Sequence, residues 1–364
     1  MPINFKALFA GAVQNKASDI HIMEGNKPVF RIRGELKHVE TPPMTHKDMQ
    51  DVLKEIMPEH LRHRLEEERG VDCSYQLENM ARFRVVVYYT DGKLCATLRN
   101  IPLQIPTIED FGLPDTLKTI ASDHRGMVLV TGITGSGKST TLAAMINHLN
   151  TTEARRIITI EDPIEFRYSN KKCVISQREV GQDVFNFDTA LKQAMRSDPD
   201  VILVGEMRDR ETIRIAIKAA ETGHLLFSTL HTTGAVHTIQ RIIGNFPQEE
   251  HDLLREQLSL NLNAAITQRL TKTLDGKGRA AALEILVCTA TVKKLISEDR
   301  ISDIGPVMGG REEGMQTMDQ ALADLIREKR ISVDEGRHFC NDFYAMKRFI
   351  AGITSSGDKG GIIG

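Results

Sequence analysis

The chain has no tryptophan in 364 residues, and aromatic side chains make up only 5% of it. A surface that grips single-stranded nucleic acid stacks bases on aromatic rings along a basic groove. With few rings and a formal net charge of -2, the chain offers neither feature globally, and no nucleic-acid partner is expected. Cysteine is sparse as well. Cys73, Cys95, Cys173, Cys288 and Cys340 are odd in number and form no C-x-x-C pair. That excludes a four-cysteine zinc module and a disulfide framework, and points to free thiols in a reducing compartment. No apolar run reaches the roughly 18–20 residues that span a bilayer, so no direct membrane insertion is expected. The opening Met-Pro-Ile-Asn-Phe-Lys lacks a signal-peptide core, and the expected location is cytoplasmic. There is no internal repeat. Asn170-Lys171-Lys172-Cys173 lacks the Asp of a guanine-reading N-K-x-D segment, which disfavours a GTPase.

What the chain does have is a complete phosphate-binding loop. Gly132-Ile133-Thr134-Gly135-Ser136-Gly137-Lys138-Ser139 matches G-x-x-x-x-G-K-[ST] without a mismatch. The apolar run Met127–Thr131 before it reads as a buried strand, and Thr140–Leu149 after it reads as a helix. Gly135 and Gly137 let successive backbone N–H groups point at phosphate oxygens, and the helix N-terminus adds its dipole. Lys138 supplies a compact cation for the β- and γ-phosphates, and the Ser139 hydroxyl can ligate Mg²⁺. The expected nucleotide contacts therefore run from Gly132 through Thr140, with ATP and Mg²⁺ as cofactors.

Three further polar clusters stand at the ends of expected core strands, where open α/β sheets bind their ligands. Glu161-Asp162-Pro163-Ile164-Glu165 follows Ile157–Ile160. At least one of its acids is expected at Mg²⁺ or its waters, and the sequence does not say which; Asp162 is the candidate for the metal, and Glu161 and Glu165 are the candidates for catalysis. Gly205-Glu206 follows Val201–Val204, which places Glu206 to accept a proton from, or orient, an attacking water. His231 follows Leu225–Thr229 and is suited to donate a hydrogen bond to the γ-phosphate, while His224 at the start of that strand is a further nucleotide-contact candidate.

Around this core the chain divides by pattern. Residues 1–100 read as a small α+β domain. Alternating segments Asp19–Met23 and Val29–Arg33 are joined through Gly34 to Glu35–Val39. A capping box at Thr45 and Asp48 opens a helix to about Met57, a second runs from about Glu59 to Arg69, and Thr90-Asp91-Gly92 turns a hairpin. A proline-containing linker is expected at 101–114 and an ATPase domain at 115–351. Helices are expected over about Gln248–Gln268, Met315–Lys329 and Val333–Ala351, with a Gly/Ser-rich flexible tail at 352–364.

Gly132–Ser139, Glu161–Glu165, Val201–Glu206 and Gly223–His231 resemble, in order, the Walker A, Asp box, Walker B and His box of the type II/IV secretion ATPase superfamily. Ser18-Asp-Ile-His21, Arg82-Phe-Arg84 and Gly314–Gln320 narrow the resemblance to the type IV pilus retraction ATPases, the PilT/PilU group. The resemblance covers about residues 1–340. It implies an α/β fold in which a PAS-like N-terminal domain precedes a RecA-like P-loop ATPase domain. It also implies a homohexamer at the inner face of the cytoplasmic membrane, hydrolysing ATP to drive pilus retraction and twitching motility against an inner-membrane platform protein, with paralogous pilus ATPases as further partners. Such ATPases present arginines from the N-terminal domain to nucleotide, and Arg82, Arg84 and Arg99 fit that region. Ala290–Glu298 departs from the group's Ala-Ile-Arg-Asn-Leu-Ile-Arg-Glu helix in both arginine slots, at about Lys294 and at Ser297. Both a main retraction motor and an accessory PilU-type paralogue therefore remain open, with a RecA-like nucleic-acid translocase as a third reading.

Overall fold

The computed structural model describes residues 4–32, 34–78, 80–101 and 105–353. Residues 102–104 of the expected linker, Arg33 of the expected second strand and all but two residues of the expected tail lie outside that set. The chain forms two compact units. The first comprises residues up to Ile105 with Pro163–Arg167, and the second comprises Pro106–Asp162 and the chain from Tyr168 onward.

The first unit is a six-stranded antiparallel sheet of strands β1 (Ala17–Met23), β2 (Val29–Ile32), β3 (Glu35–His38), β4 (Gly70–Leu77), β5 (Ala81–Thr90) and β6 (Lys93–Ile101), in the order β3-β2-β1-β6-β5-β4. Helices Phe5–Gln14, His46–Ile56 and Glu59–Glu68 supply apolar residues to its core. Thr45 and Asp48 close a reciprocal capping box at the second of these, and Arg69 ends the third in a left-handed conformation. Asp91 and Gly92, both at positive φ, turn the β5–β6 hairpin. Alternation sorts β5. Phe83, Val85 and Val87 are buried in the core with Phe9, Ile20 and Leu98, which leaves Arg82 and Arg84 on the other face. Arg99 of β6 pairs directly with Arg84, and Asp19 of β1 with Arg99, so the same face carries all four charges.

The second unit is a seven-stranded sheet. Its strands are β7 (Gly126–Thr131), β8 (Arg156–Glu161), β9 (Val174–Glu179), β10 (Val201–Val204), β11 (Leu225–Leu230), β12 (Leu262–Lys272) and β13 (Arg279–Val287), in the order β13-β12-β7-β11-β10-β8-β9. All neighbours are parallel except β12 and β13. The central strands read as unbroken apolar runs because both faces are covered. Met127, Leu129, Ile158, Ile202 and Leu226 join one core with helices Phe187–Ala194, Arg210–Glu221 and Ala235–Gly244. Val128, Val130, Ile157, Leu203 and Phe227 join another with helices Thr116–Ala121 and Lys138–Thr152.

Two helix expectations are corrected. The helix expected over 248–268 is one short 3₁₀ turn and a helix at His251–Asn261, after which the chain becomes β12. Ala264 and Ala265 favour a helix intrinsically, but the slot between β7 and β13 completes both ladders and buries them fully, and tertiary pairing wins. The helix expected over 333–351 is two, Val333–Phe339 and Phe343–Ile350. Backbone N–H groups of Asn341 and Asp342 donate to the Asp319 carboxylate at 2.6 and 3.0 Å, and Asp342 caps the second helix. Among the described residues no helix is long and apolar enough to cross a membrane.

Candidate functional site

The carboxyl ends of β7, β8, β10 and β11 converge on the phosphate loop. Gly137 stands at φ 90° and Gly135 at φ 79°, the left-handed region that favours glycine. A Cβ on Gly132 would lie 2.6 Å from the Gln268 carbonyl oxygen, and one on Gly137 would lie 2.7 Å from Gln268 Nε2. The loop is thus held closely against β12. Lys138, the first residue of the helix, donates Nζ hydrogen bonds to the Gly132 and Ile133 carbonyls at 2.9 and 3.1 Å. Among the described residues the buried Ser136 hydroxyl has no hydrogen-bond partner. A buried orphan hydroxyl beside an amide-lined glycine cradle suits an anion with several acceptor oxygens. Ile133, Thr134 and Gly135 are exposed on the loop's outer edge, and Ser139 and Thr140 are half-buried on the first turn.

Glu206 leaves β10 two residues past Val204 and is bracketed by two cationic or polar side chains. Arg208 pairs with its Oε1, and His231 Nε2 lies 3.3 Å from its Oε2. Burial, then the positive charges of Lys138 and Arg208, holds the His231 imidazole below its ordinary value of 6.5, so the ring is neutral near pH 7. Glu161 ends β8, where its carboxylate accepts from Thr159 Oγ1 at 2.6 Å and Gln177 Nε2 at 3.2 Å.

The expected acidic cluster is divided between the two units. Glu161 and Asp162 belong to the second unit, with Asp162 exposed, whereas Glu165 belongs to the first and lies 3.9 Å from Arg84. The first-unit arginines have partners within that unit. Arg82 is buried and donates to Ser74 Oγ at 2.6 Å and the Ile164 carbonyl at 3.2 Å. Arg84 lies 3.7 Å from Asp72, and Arg99 donates to Asp19 at 2.9 Å. His224 is not gathered at the loop. It precedes β11, at the opposite end of that strand from His231, with Nδ1 2.9 Å from the Ala219 carbonyl and 3.1 Å from Thr222 Oγ1.

Three contacts go beyond what the motifs mark. Arg208 has only its position two residues beyond Glu206 to single it out. Gln268 Oε1 accepts from Thr141 Oγ1 at 2.5 Å, which fixes β12 to the first turn of the loop's helix. Arg269 reaches the carbonyl of Thr233, two residues past His231. Gln268 and Arg269 lie in or beside a segment whose pattern reads as helix, where alternation cannot be seen. A cleft of about 410 Å³ opens beside the loop, with Ile133, Ser136, Gln268, Leu270, Arg279 and Phe339 in its wall. No group of three or more His, Cys, Asp or Glu side chains among the described residues could cage a metal.

The type II/IV secretion system protein family model matches residues 2–339. The chain belongs to this family. Among type II/IV secretion system proteins it is 44% identical to the type IV pilus retraction ATPase PilT of Pseudomonas aeruginosa, over 91% of this chain and 96% of that one. It is 38% identical to the type IV pilus ATPase PilU of the same organism, over 92% and 87% respectively. A crystal structure of the pilus retraction motor PilT with bound ADP superposes with a TM-score of 0.89 at 41% identity, covering 95% of this chain and 99% of that one. The first unit is accordingly the family's N-terminal PAS-like α+β domain, and the second is a RecA-like P-loop domain.

Proposed function

We propose that this chain is an ATP-hydrolysing motor that powers type IV pilus retraction and hence twitching motility. The observation that carries this is the near-complete alignment with a retraction ATPase at 44% identity, together with a loop, carboxylate and histidine assembled at one sheet edge. The greater identity to PilT than to PilU favours the main motor over the accessory role.

Within the site, backbone amides from Gly132 to Thr140 and the Lys138 ammonium hold the phosphates, with the Ser136 hydroxyl turned to them. Ser139 would hold Mg²⁺, assisted by Asp162, and the bound ion supplies charge neutralisation along the phosphate chain. Glu206 accepts the proton of the attacking water, and Glu161 orients that water's neighbours. His231, neutral and so carrying a single N–H, turns that donor from Glu206 to the γ-phosphate when nucleotide is bound. Glu165, Arg82, Arg84 and Arg99 contribute to the nucleotide response from the first unit. Arg99 is the most exposed of these arginines, with 70% of its side chain exposed, and Arg82 the least. Nothing in the position of His224 supports a nucleotide contact from its own chain. The working unit is a homohexamer on the inner-membrane pilus platform protein, on the cytoplasmic side.

Two measurements test this. Deleting the gene should leave cells hyperpiliated and unable to twitch, whereas pilus-free cells would indicate a role in extension. In the purified protein, Glu206→Gln should retain ATP binding and lose turnover by roughly 10²-fold or more, the typical worth of a positioned acid–base group. Undiminished turnover in that variant would remove Glu206 from catalysis.

A further inference from the structure

The motif Gly314–Gln320 carries no part of the site described above, yet it holds a buried acid. Asp319 is 7% exposed and binds the N–H groups of Asn341 and Asp342, the break between the last two helices. Glu284 on β13, equally buried, accepts the Ala235 N–H at 2.6 Å. That amide opens the helix that follows His231-Thr232-Thr233-Gly234. Two buried carboxylates therefore fix two separate loops.

One cation serves both. Burial pushes the Glu284 and Asp319 carboxyls up, and the Arg269 charge opposes this at each. The Arg269 guanidinium donates to the Thr233 carbonyl at 3.2 Å, to Asn341 Oδ1 at 2.8 Å and to the Phe339 carbonyl. The fork geometry of guanidinium permits this three-way contact, which an ammonium matches poorly. The neighbouring Gln268 grips Thr141 on the phosphate-loop helix. The helix Val333–Phe339 is tied to the same strand where Glu335 accepts the Lys272 N–H at 2.6 Å.

We infer that Arg269 is a positioning residue that links the His231 loop to the C-terminal helices, so that the third phosphate of a bound nucleoside triphosphate is felt at residues 339–342. The inference rests on the nucleotide-hydrolysis reading above. It assigns the C-terminal helices as the output of the γ-phosphate contact.

The test is deuterium exchange on the full chain with Mg²⁺ and either ADP or a non-hydrolysable ATP analogue. Direct contact by base or ribose affects the two nucleotides alike, so only their difference reports the third phosphate. In the wild-type protein, peptides spanning 231–236 and 337–345 should both exchange severalfold more slowly with the triphosphate than with ADP. In Arg269→Gln the difference at 231–236 should persist while that at 337–345 is lost, and Arg269→Lys should restore it only in part. Should Arg269→Gln not fold, Asp319→Asn breaks the far end of the link and should weaken the same difference. An identical response of 337–345 to both nucleotides, or a difference retained in Arg269→Gln, overturns the inference while ATP hydrolysis stands. Protein that binds neither nucleotide overturns this inference and the function beneath it.

Discussion

Glu206 and His231 share a hydrogen bond across a partly dried pocket, so the protonation of one sets the chemistry of the other. A neutral His231 leaves the Glu206 carboxylate available to take a proton. A protonated one forms an ion pair with it and draws down its basicity. Because burial and two cations disfavour the charged ring, His231 stays neutral below its ordinary 6.5 and charges only as pH falls through its lowered value. ATP turnover should therefore decline along an acid limb whose midpoint lies below 6.5, the ordinary imidazole value. In His231→Gln, with lower overall turnover, that limb should shift away. A pH–kcat profile unchanged in position by His231→Gln would rule out this histidine as its source. That Glu206 and His231 lie together was legible because a phosphate loop upstream made strand-end polar residues meaningful. Arg208 was not, since an arginine two residues past an acid has no pattern until the fold brings the exposed arginine back over that acid.

Among elements, strand position was legible where both faces are buried and least so where an amphipathic helix abuts a strand. Leu254 and Leu258 continue into Leu262 and Ile266 at helical spacing, which conceals the switch to β12 at Leu262. With the strand went Gln268 and Arg269, the residues that brace the loop. The first-unit sheet shows the reverse, because the residue pattern of β5 itself places Phe83, Val85 and Val87 on one face and its arginines on the other. What alternation cannot reveal is that Arg99 is engaged by Asp19. Burial pushes the Asp19 carboxyl up, but hydrogen bonds from Arg99 and Ser18 outweigh it and hold it below 3.8. Such a group stabilises the fold above pH 3.8 and loses that contribution as pH falls through its lowered value. Arg99→Ala should therefore cost about 1–2 kcal/mol at pH 7 by stripping a buried acceptor. Thermal melts should show the midpoint down by a few degrees at pH 7 and nearer to wild type at pH 3. A full-sized difference persisting at pH 3 would mean that Arg99 stabilises by packing instead. Turnover lost at an unchanged midpoint would place Arg99 at nucleotide.

At the scale of the whole molecule the question is whether sites act singly. A motor that moves a load needs hydrolysis at one site to bias its neighbours, and a ring supplies that by repeating one heterologous contact until it closes. The identity to the PilT retraction ATPase extends over both units of the chain, so assembly is to be tested on the full chain. Mixed assembly separates the cases. Glu206→Gln subunits should bind ATP without turning it over, and independent sites would lose activity in proportion to the fraction of mutant chain. Coupled sites lose more, because one stalled subunit holds its neighbours in the triphosphate-bound arrangement. Co-expressing wild-type and Glu206→Gln chains in equal amounts should therefore leave ATP turnover well below half of wild type, in particles whose light-scattering mass equals six chains. Turnover at half, in particles of any size, would mean that each RecA-like unit works alone and that the ring, if it forms, only gathers them.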